Sequence, residues 1–423
     1  MKRVIFVLWA FILIFACGKN QNQNIESLRK AFSQVYSIEE AGIQSLYFEV
    51  AGNHDFIRNF LNHVKIDSPT IRIYWKPDLK IKAEVITPAG MALLIPRWLD
   101  FGFAFGLLSS TDLLPLFQPA DHTWQLLQKE FNLNQKGTFE LIQTILENNN
   151  HEFVLQDKNE PRNLQKIIST PDNLLLDRFG SKLIETPYGL IETGYSENWL
   201  KLPNGKIVLS FHQQSYLDKP RLKIQHRISY DQVDNYWLPR EIIKKERSIE
   251  KGKIRQVDHQ IIFKNYLINL TLPDSIFDFP APAQATLDLT SPTRTLNSLF
   301  LAVKMGNTSQ MQQCFSAEMQ LQYTAFLKNT ANEITPIASI PPALLQQVKT
   351  NAQQWFFGNY MSNIKDWQIT NINEKANSAE ISLDFTSELD LFEGPFKLMK
   401  EENEWKIDTN PFVIFRAPGQ TGQ

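Results

Sequence analysis

Two hydrophobic periods take turns along this chain. Ile25, Leu28, Phe32 and Val35 share one face at helical spacing, so a helix is predicted from Ile25 to Ser37. A period of two follows in Thr70–Trp75 and Leu79–Val85, with Pro77-Asp78 as the turn between them. Leu79, Ile81, Ala83 and Val85 alternate with Lys80, Lys82 and Glu84, the pattern of a half-buried antiparallel sheet. Met91–Leu116 breaks the alternation. It is apolar and aromatic, with Trp98, Phe101, Phe103 and Phe105, and is interrupted by Pro96, Gly102, Gly106 and Pro115. Two readings fit this run: plain core, or an apolar lid over a cavity. Thr123–Phe131 and Thr138–Glu147 are predicted helical. Alternation returns in Lys206–Phe211, in Leu222–Tyr230, and in the long pair Tyr236–Ser248 and Lys253–Phe263, which turns at Glu250-Lys251-Gly252. In Leu222–Tyr230 the apolar side holds Ile224, His226, Ile228 and Tyr230, and the other side Lys223, Gln225, Arg227 and Ser229. Such strands wrapped about a helix suggest an open, curved sheet around an apolar interior.

The Pro/Ala stretch Phe279–Ala285 reads as a linker. Beyond it Ser291 can cap a helix that Pro292 opens, with Leu296, Leu299, Phe300 and Val303 on one face and Met305–Thr308 as the stop. Short helical segments over Ser309–Phe315 and Pro342–Phe357 precede strands at Trp367–Ile372, Ala379–Phe385, Gly394–Lys400 and Glu404–Asp408. Helices followed by an antiparallel sheet give a second, smaller α+β domain.

The first residues have a different logic. Lys2 and Arg3 precede an uncharged apolar run, Val4–Ala16, shorter than the ~20 residues a membrane span needs but suited to a signal peptide. Ile14-Phe15-Ala16-Cys17 resembles the bacterial lipobox, in which the cysteine thiol takes a diacylglyceryl group and the signal is cleaved before it. The resemblance implies lipidation of Cys17 and attachment to a membrane, followed by the polar tether Gly18–Asn24. Gly18, where an aspartate would resemble an inner-membrane retention signal, favours the outer membrane facing the periplasm.

Composition narrows the functional classes. A net charge of −2 over 423 residues offers no broad field for nucleic acid. With Cys17 lipidated, Cys314 has no partner for a disulfide or a cysteine metal site and is expected to be a buried small side chain. The chain carries no Gly-rich phosphate loop, Gly-x-Ser-x-Gly elbow or His-Glu-x-x-His. His54-Asp55 with His63 matches no metal-ligand spacing. None of the seven histidines lies in the second domain, where Asp384, Asp390 or Tyr323 would have to act alone and are expected to be surface carboxylates and a core tyrosine. The Asn269-Leu-Thr271 and Asn307-Thr-Ser309 glycosylation patterns read as accidental. No catalytic residue, cofactor or metal is expected.

Two family resemblances complete the reading. Asp234–Arg240, the hairpin after it, Phe263–Asn269 and Leu272–Pro280 resemble the carboxy-terminal part of the lipoprotein-carrier and lipoprotein-receptor fold, the LolA/LolB-like proteins. That resemblance implies an open antiparallel β-barrel with a helical lid and an apolar cavity for acyl chains. Ser291-Pro292, Phe300–Gly306, Gly394–Lys400 and Trp405–Asp408 resemble the cone-shaped nuclear-transport-factor-2-like domains. The expected organisation is a signal peptide at 1–16, lipidated Cys17 and tether at 17–24, a half-barrel domain at 25–285, a cone-shaped α+β domain at 286–416 and a tail at 417–423. The expected function is a membrane-anchored envelope lipoprotein that binds a lipid or an acylated protein, with Ile81, Ala83, Val85, Ile224 and Ile228 lining the cavity. The other reading is a non-catalytic interaction module for an envelope protein partner, its barrel filled by its own side chains. The state of Met91–Leu116 separates the two: a lid leaves a void and a plug does not.

Overall fold

The computed structural model describes residues 22–53, 57, 69–93, 95, 97–135, 137–186, 189–216, 222–250, 253–334, 342–362, 364–387 and 394–415. The signal peptide, Cys17, His54, His63, Pro96, Asp390 and the tail lie outside them. The chain divides into two compact units, Met1–Leu93 with Phe103–Pro273 and Leu94–Gly102 with Asp274–Gln423.

The first unit begins with helix α1 (22–32) and strands β1 (Leu46–Gly52), β2 (Thr70–Lys76) and β3 (Lys80–Ile86). Helix α2 (Arg97–Ser110), whose residues from Phe103 on belong to this unit, a 3-10 turn at Leu114–Phe117 and helix α3 (His122–Glu130) follow. A run of strands closes the unit: β4 (Phe139–Ile145), β5 (His151–Asp157), β6 (Leu164–Ser169), β7 (Leu175–Thr186), β8 (Gly189–Lys201), β9 (Ile207–Tyr216), β10 (Lys223–Val233), β11 (Tyr236–Glu250) and β12 (Lys253–Ile268). All twelve join one antiparallel sheet in the order β3-β2-β1-β12-β11-β10-β9-β8-β7-β6-β5-β4. It is a meander from β4 to β12, extended past β12 by β1, β2 and β3. β3 and β4 stand at its two edges, and no pairing between them occurs among the described residues. The α+β class expected from the sequence is what the chain adopts.

Pairing assigns one face of the sheet to the core. Phe48 faces Ile73 across β1 and β2, and Ile73 faces Ala83 across β2 and β3. The rings of Phe48 and Trp75 both lie 5.9 Å from Phe117, so this is the face the helical segment covers. From Phe103 to Leu108 α2 is apolar on all sides, with Phe103, Ala104, Phe105, Leu107 and Leu108 each at most 2 % exposed, as a helical stretch hydrophobic all round is buried all round. It ends in a Schellman arrangement, in which Leu113 N–H donates to Leu108 O at 2.9 Å and Asp112 N–H to Ser109 O at 3.4 Å. Asp112 takes the left-handed position with φ 61, a place more often held by glycine.

The segment Thr138–Glu147, predicted helical, is instead the edge strand β4. Phe139, Ile142 and Leu146 satisfy a helical period, but Phe139 and Leu141 also satisfy a period of two and are buried against β5, with Leu141 opposite Leu155. Asn148-Asn149-Asn150, with Asn149 at φ 63, makes the hairpin that places β5 alongside. The strands β5 to β8 drew no specific expectation from their sequences.

The second unit contains a 3-10 turn at Asp274–Phe277 and helices α4 (Pro292–Lys304), α5 (Thr308–Gln313), α6 (Ala317–Ile334) and α7 (Pro342–Ser362). Strands β13 (Ile364–Glu374), β14 (Ser378–Ser387), β15 (Phe396–Glu401) and β16 (Glu404–Ile407) form an antiparallel sheet in that order, and the short helix α8 (Pro411–Ile414) follows. Ser291 caps α4 by accepting from Arg294 N–H, with Pro292 in the first turn. The core gathers Phe300, Phe315, Phe326, Phe357, Phe396 and Phe415. The Pro/Ala stretch is tied to this unit: Asn307 Nδ2 donates to Ala283 O at 2.9 Å, and Gln310 exchanges two hydrogen bonds with Ala285. Buried Arg97 pairs with Asp100 and donates to Phe277 O, and its guanidinium sits 4.6 Å over the Phe279 ring. Among the described residues no helix is long and apolar enough to cross a membrane.

Candidate functional site: a row of ionisable side chains

The covered face of the large sheet changes character along its strands. Toward β1, β2 and β3 it is apolar. Farther along β7 to β12 the register aligns one residue from each strand in a transverse row. Arg178 faces Glu197, Glu197 faces His212, His212 faces His226, His226 faces Lys244 and Lys244 faces His259. Adjacent strands lie about 4.8 Å apart, so each ionisable group is in reach of the next. On one side the neighbouring positions are apolar, including Ile228, Ile242 and Ile261. On the other they are Gln165, Tyr195, Gln214 and Glu246.

Two helix ends place carboxylates on this row. Asp112, just past α2, accepts a 2.6 Å hydrogen bond from His226 Nδ1 and lies 3.8 Å from His212 Nδ1. A carboxylate only accepts, so His226 carries a proton on Nδ1 and turns Nε2 away from Asp112. Glu130, the last residue of α3, accepts a 2.9 Å hydrogen bond from Gln165 Nε2. Within the row His212 Nδ1 is 3.6 Å from Glu197 Oε1, and Arg178 Nη1 is 3.7 Å from Glu197 Oε2. The Arg178 guanidinium also lies 5.2 Å over the Tyr195 ring.

The proton affinities follow from this packing. Burial disfavours the charged form of Glu197, but Arg178 and His212 outweigh it and hold the carboxyl below its ordinary value. Burial likewise works against the His212 cation, yet Glu197 and Asp112 prevail and push its pKa up. Burial lifts the Tyr230 hydroxyl well above its usual range, and the nearby Asp112 charge adds to this. Arg178 and His212 thus stand beside Glu197, with Asp112 on the other side of His212.

The row is also rich in unsatisfied polar atoms. Ser169 Oγ, Gln165 Oε1, Arg178 Nε, Glu197 Oε2, Trp199 Nε1 and His226 Nε2 are buried with no hydrogen-bond partner among the described protein atoms. Left dry, each would cost about 1–3 kcal/mol. Together that rivals the whole stability of a domain, about 5–15 kcal/mol. These polar atoms set this face apart from the apolar wall that an acyl chain requires.

The five wall residues named from the sequence separate accordingly. Ile81, Ala83 and Val85 sit together on β3, each at most 1 % exposed, in the apolar part. Ile228 belongs to the apolar side of the row on β10, several strands away. Ile224, also on β10, lies on the polar side between Gln214 and Glu246 and is only half-buried. Sequence reading passed over Arg178, Glu197, His212 and Asp112. The available signal was His226, a histidine on the apolar side of an amphipathic strand. In the second unit Tyr323 is fully buried, donates to Thr308 O at 2.9 Å and stacks on Phe315, while Asp384 is exposed. Cys314 is buried, and burial pushes its thiol up to about 12.

Among the described residues no group of three or more His, Cys, Asp or Glu side chains is placed to hold a metal ion. A surface depression of about 330 Å³ lies between Leu164, Lys166, Phe179, Ser181, Gln213 and Ser215 and includes no carboxylate. Comparison with known proteins finds no matching family model, no matching curated protein and no matching solved structure.

Proposed function

We propose that this chain is a non-catalytic lipoprotein of the cell envelope, anchored through a lipid on Cys17 at the outer membrane and facing the periplasm. In this reading its first unit is a half-barrel filled by its own helix α2, and the protein acts as an interaction module for an envelope partner. The observation that carries this choice is the burial of the part of α2 that belongs to the first unit, with Phe103, Phe105, Leu107 and Leu108 all at most 2 % exposed. Those side chains act as a plug rather than a lid. Curvature is expected physically, because open twisted sheets rarely pass ~10 strands without curling. The second unit would be a cone-shaped pairing or small-ligand module.

The carrier reading, a lipid or acylated protein held in an apolar cavity, finds support in the wall around Ile81, Ala83 and Val85. It requires α2 to leave, and beyond Ile228 the wall turns to charge. Native mass spectrometry of the full chain extracted from bacterial membranes separates the two readings. The interaction module predicts a mass equal to the chain plus its covalent lipid, unchanged when fatty acid is added. A further mass that extracts into organic solvent would move the assignment to a carrier. A palmitate label that persists in Cys17→Ser would remove the anchor from either reading.

A further inference from the structure

We propose that the outer face of β10 and β11, the side turned away from α2, docks on an anionic phospholipid surface. The proposal rests on the Cys17 anchor only for what keeps the chain near a bilayer. In sequence, Lys244-Lys245-Glu246-Arg247 mixes both signs and would pass for an ordinary solvated strand. The strand period of two sorts those charges. Lys244 and Glu246 turn to the covered face, where they pair at 3.3 Å. Lys245 and Arg247 turn outward and are exposed. Across β10 they meet more positive charge: Lys223 lies directly opposite Arg247, and exposed Arg227 follows on the same face. Among the described residues none of these four cations stands in an ion pair.

The flanking strands do not neutralise them. On the same face β9 offers Ser215, Gln213 and Phe211, and β12 offers Gln256, Asp258 and Gln260. The single carboxylate there, Asp258, accepts from Gln256 Nε2 at 3.2 Å. Like charges directly opposite on adjacent strands destabilise a sheet, so Lys223 and Arg247 repel until an anion lies between them. A local positive patch thus stands on a chain whose net charge is −2. The hairpin tip selects a bilayer over a soluble anion. Ile249 faces Ile254 on the side that carries Arg247, and Ile254 is 59 % exposed. A bilayer sets phosphates against the cations and the headgroup–acyl boundary against Ile254. A soluble acidic polypeptide leaves that isoleucine in water.

The test adds the full chain to vesicles of phosphatidylcholine alone, or of phosphatidylcholine and phosphatidylglycerol in equal parts. Flotation reads attachment, and amine acetylation of Lys223 and Lys245, scaled to exposed Lys397, reads docking. Failure to float with the neutral vesicles strikes the anchor, while the anionic vesicles still report docking. Both lysines should be protected on anionic vesicles only, and about 1 M salt, with a screening length of ~3 Å, should remove the protection. Arg227→Gln with Arg247→Gln keeps both reporter lysines and should weaken docking about thirtyfold, roughly fivefold for each cation. It also relieves the repulsion with Lys223, so its urea midpoint should not fall below that of the parent. Arg240→Gln removes a β11 cation already paired with Asp231 and should leave the protection intact. Equal labelling on the two vesicle types would overturn the proposal, as would protection that survives the double variant or the salt. Protection by polyglutamate but not by anionic vesicles would overturn it too, and would assign the face to an acidic polypeptide.

Discussion

Replacing Glu197 with Gln tests the physical reasoning at its centre, because that carboxylate lies beside both Arg178 and His212. Its side chain and that of Arg178 are 12 % and 15 % exposed, so solvent screens them only slightly. Removing one partner of a buried pair strands the other charge, at a cost of about 3–5 kcal/mol. With 3.7 Å between Arg178 and Glu197, the lower end, about 3 kcal/mol, is expected. In a unit of this size that lowers Tm by about 6–12 °C. Urea unfolding followed by circular dichroism measures the loss directly. The double variant Arg178→Met with Glu197→Gln has no stranded cation and should recover a large part of it, giving a coupling energy of about 1–3 kcal/mol. The pH profile carries the same information. His212 has a raised folded pKa, so its stabilisation is whole below its unfolded value of about 6.5 and fades as pH rises through the folded one. Glu197 has a depressed folded pKa, so its stabilisation is whole above an ordinary value of 4.5 and fades as pH falls through the folded one. The parent is thus most stable between those two values, and Glu197→Gln flattens both limbs. A variant within about 0.5 kcal/mol of the parent at every pH would refute the buried-pair argument.

Other perturbations probe other parts of the fold. Phe105→Ala should destabilise the first unit by about 3–5 kcal/mol in urea unfolding, because its ring on α2 is only 1 % exposed; a loss near zero would mean that α2 is not packed as described. Gly180→Ala puts a Cβ 2.1 Å from Leu164 O between β6 and β7, so hydrogen exchange of the β6 and β7 amides should accelerate, whereas an unchanged pattern would contradict that close approach. Cys314, its thiol raised to about 12, should resist iodoacetamide in the folded chain at neutral pH and react once urea unfolds it; rapid native labelling would contradict its burial.

The elements with a clean period were readable from the chain alone. Alternation in Leu79–Val85 and in Leu222–Tyr230 identified strands and the side each would bury, and Ser291 with Pro292 marked a helix start, because these depend on neighbours within a few residues. The apolar run around Phe101–Leu108 announced burial but not its form, since lid and plug need the same side chains. Phe139–Ile145 fits both periods, and only β5 lying beside it settles the strand. The ionisable row was beyond local reading. Arg178, Glu197, His212 and His226 each resemble an ordinary polar residue on an amphipathic strand, and Asp112 lies more than a hundred positions from the histidine it bonds. Hairpin register decides that they meet, because a shift of one residue would turn each to the opposite face. Sequence by itself determined which segments could bury a face. Tertiary structure alone decided that one line across that face would carry paired ionisable groups, because charge pairing depends on separation in space and not along the chain.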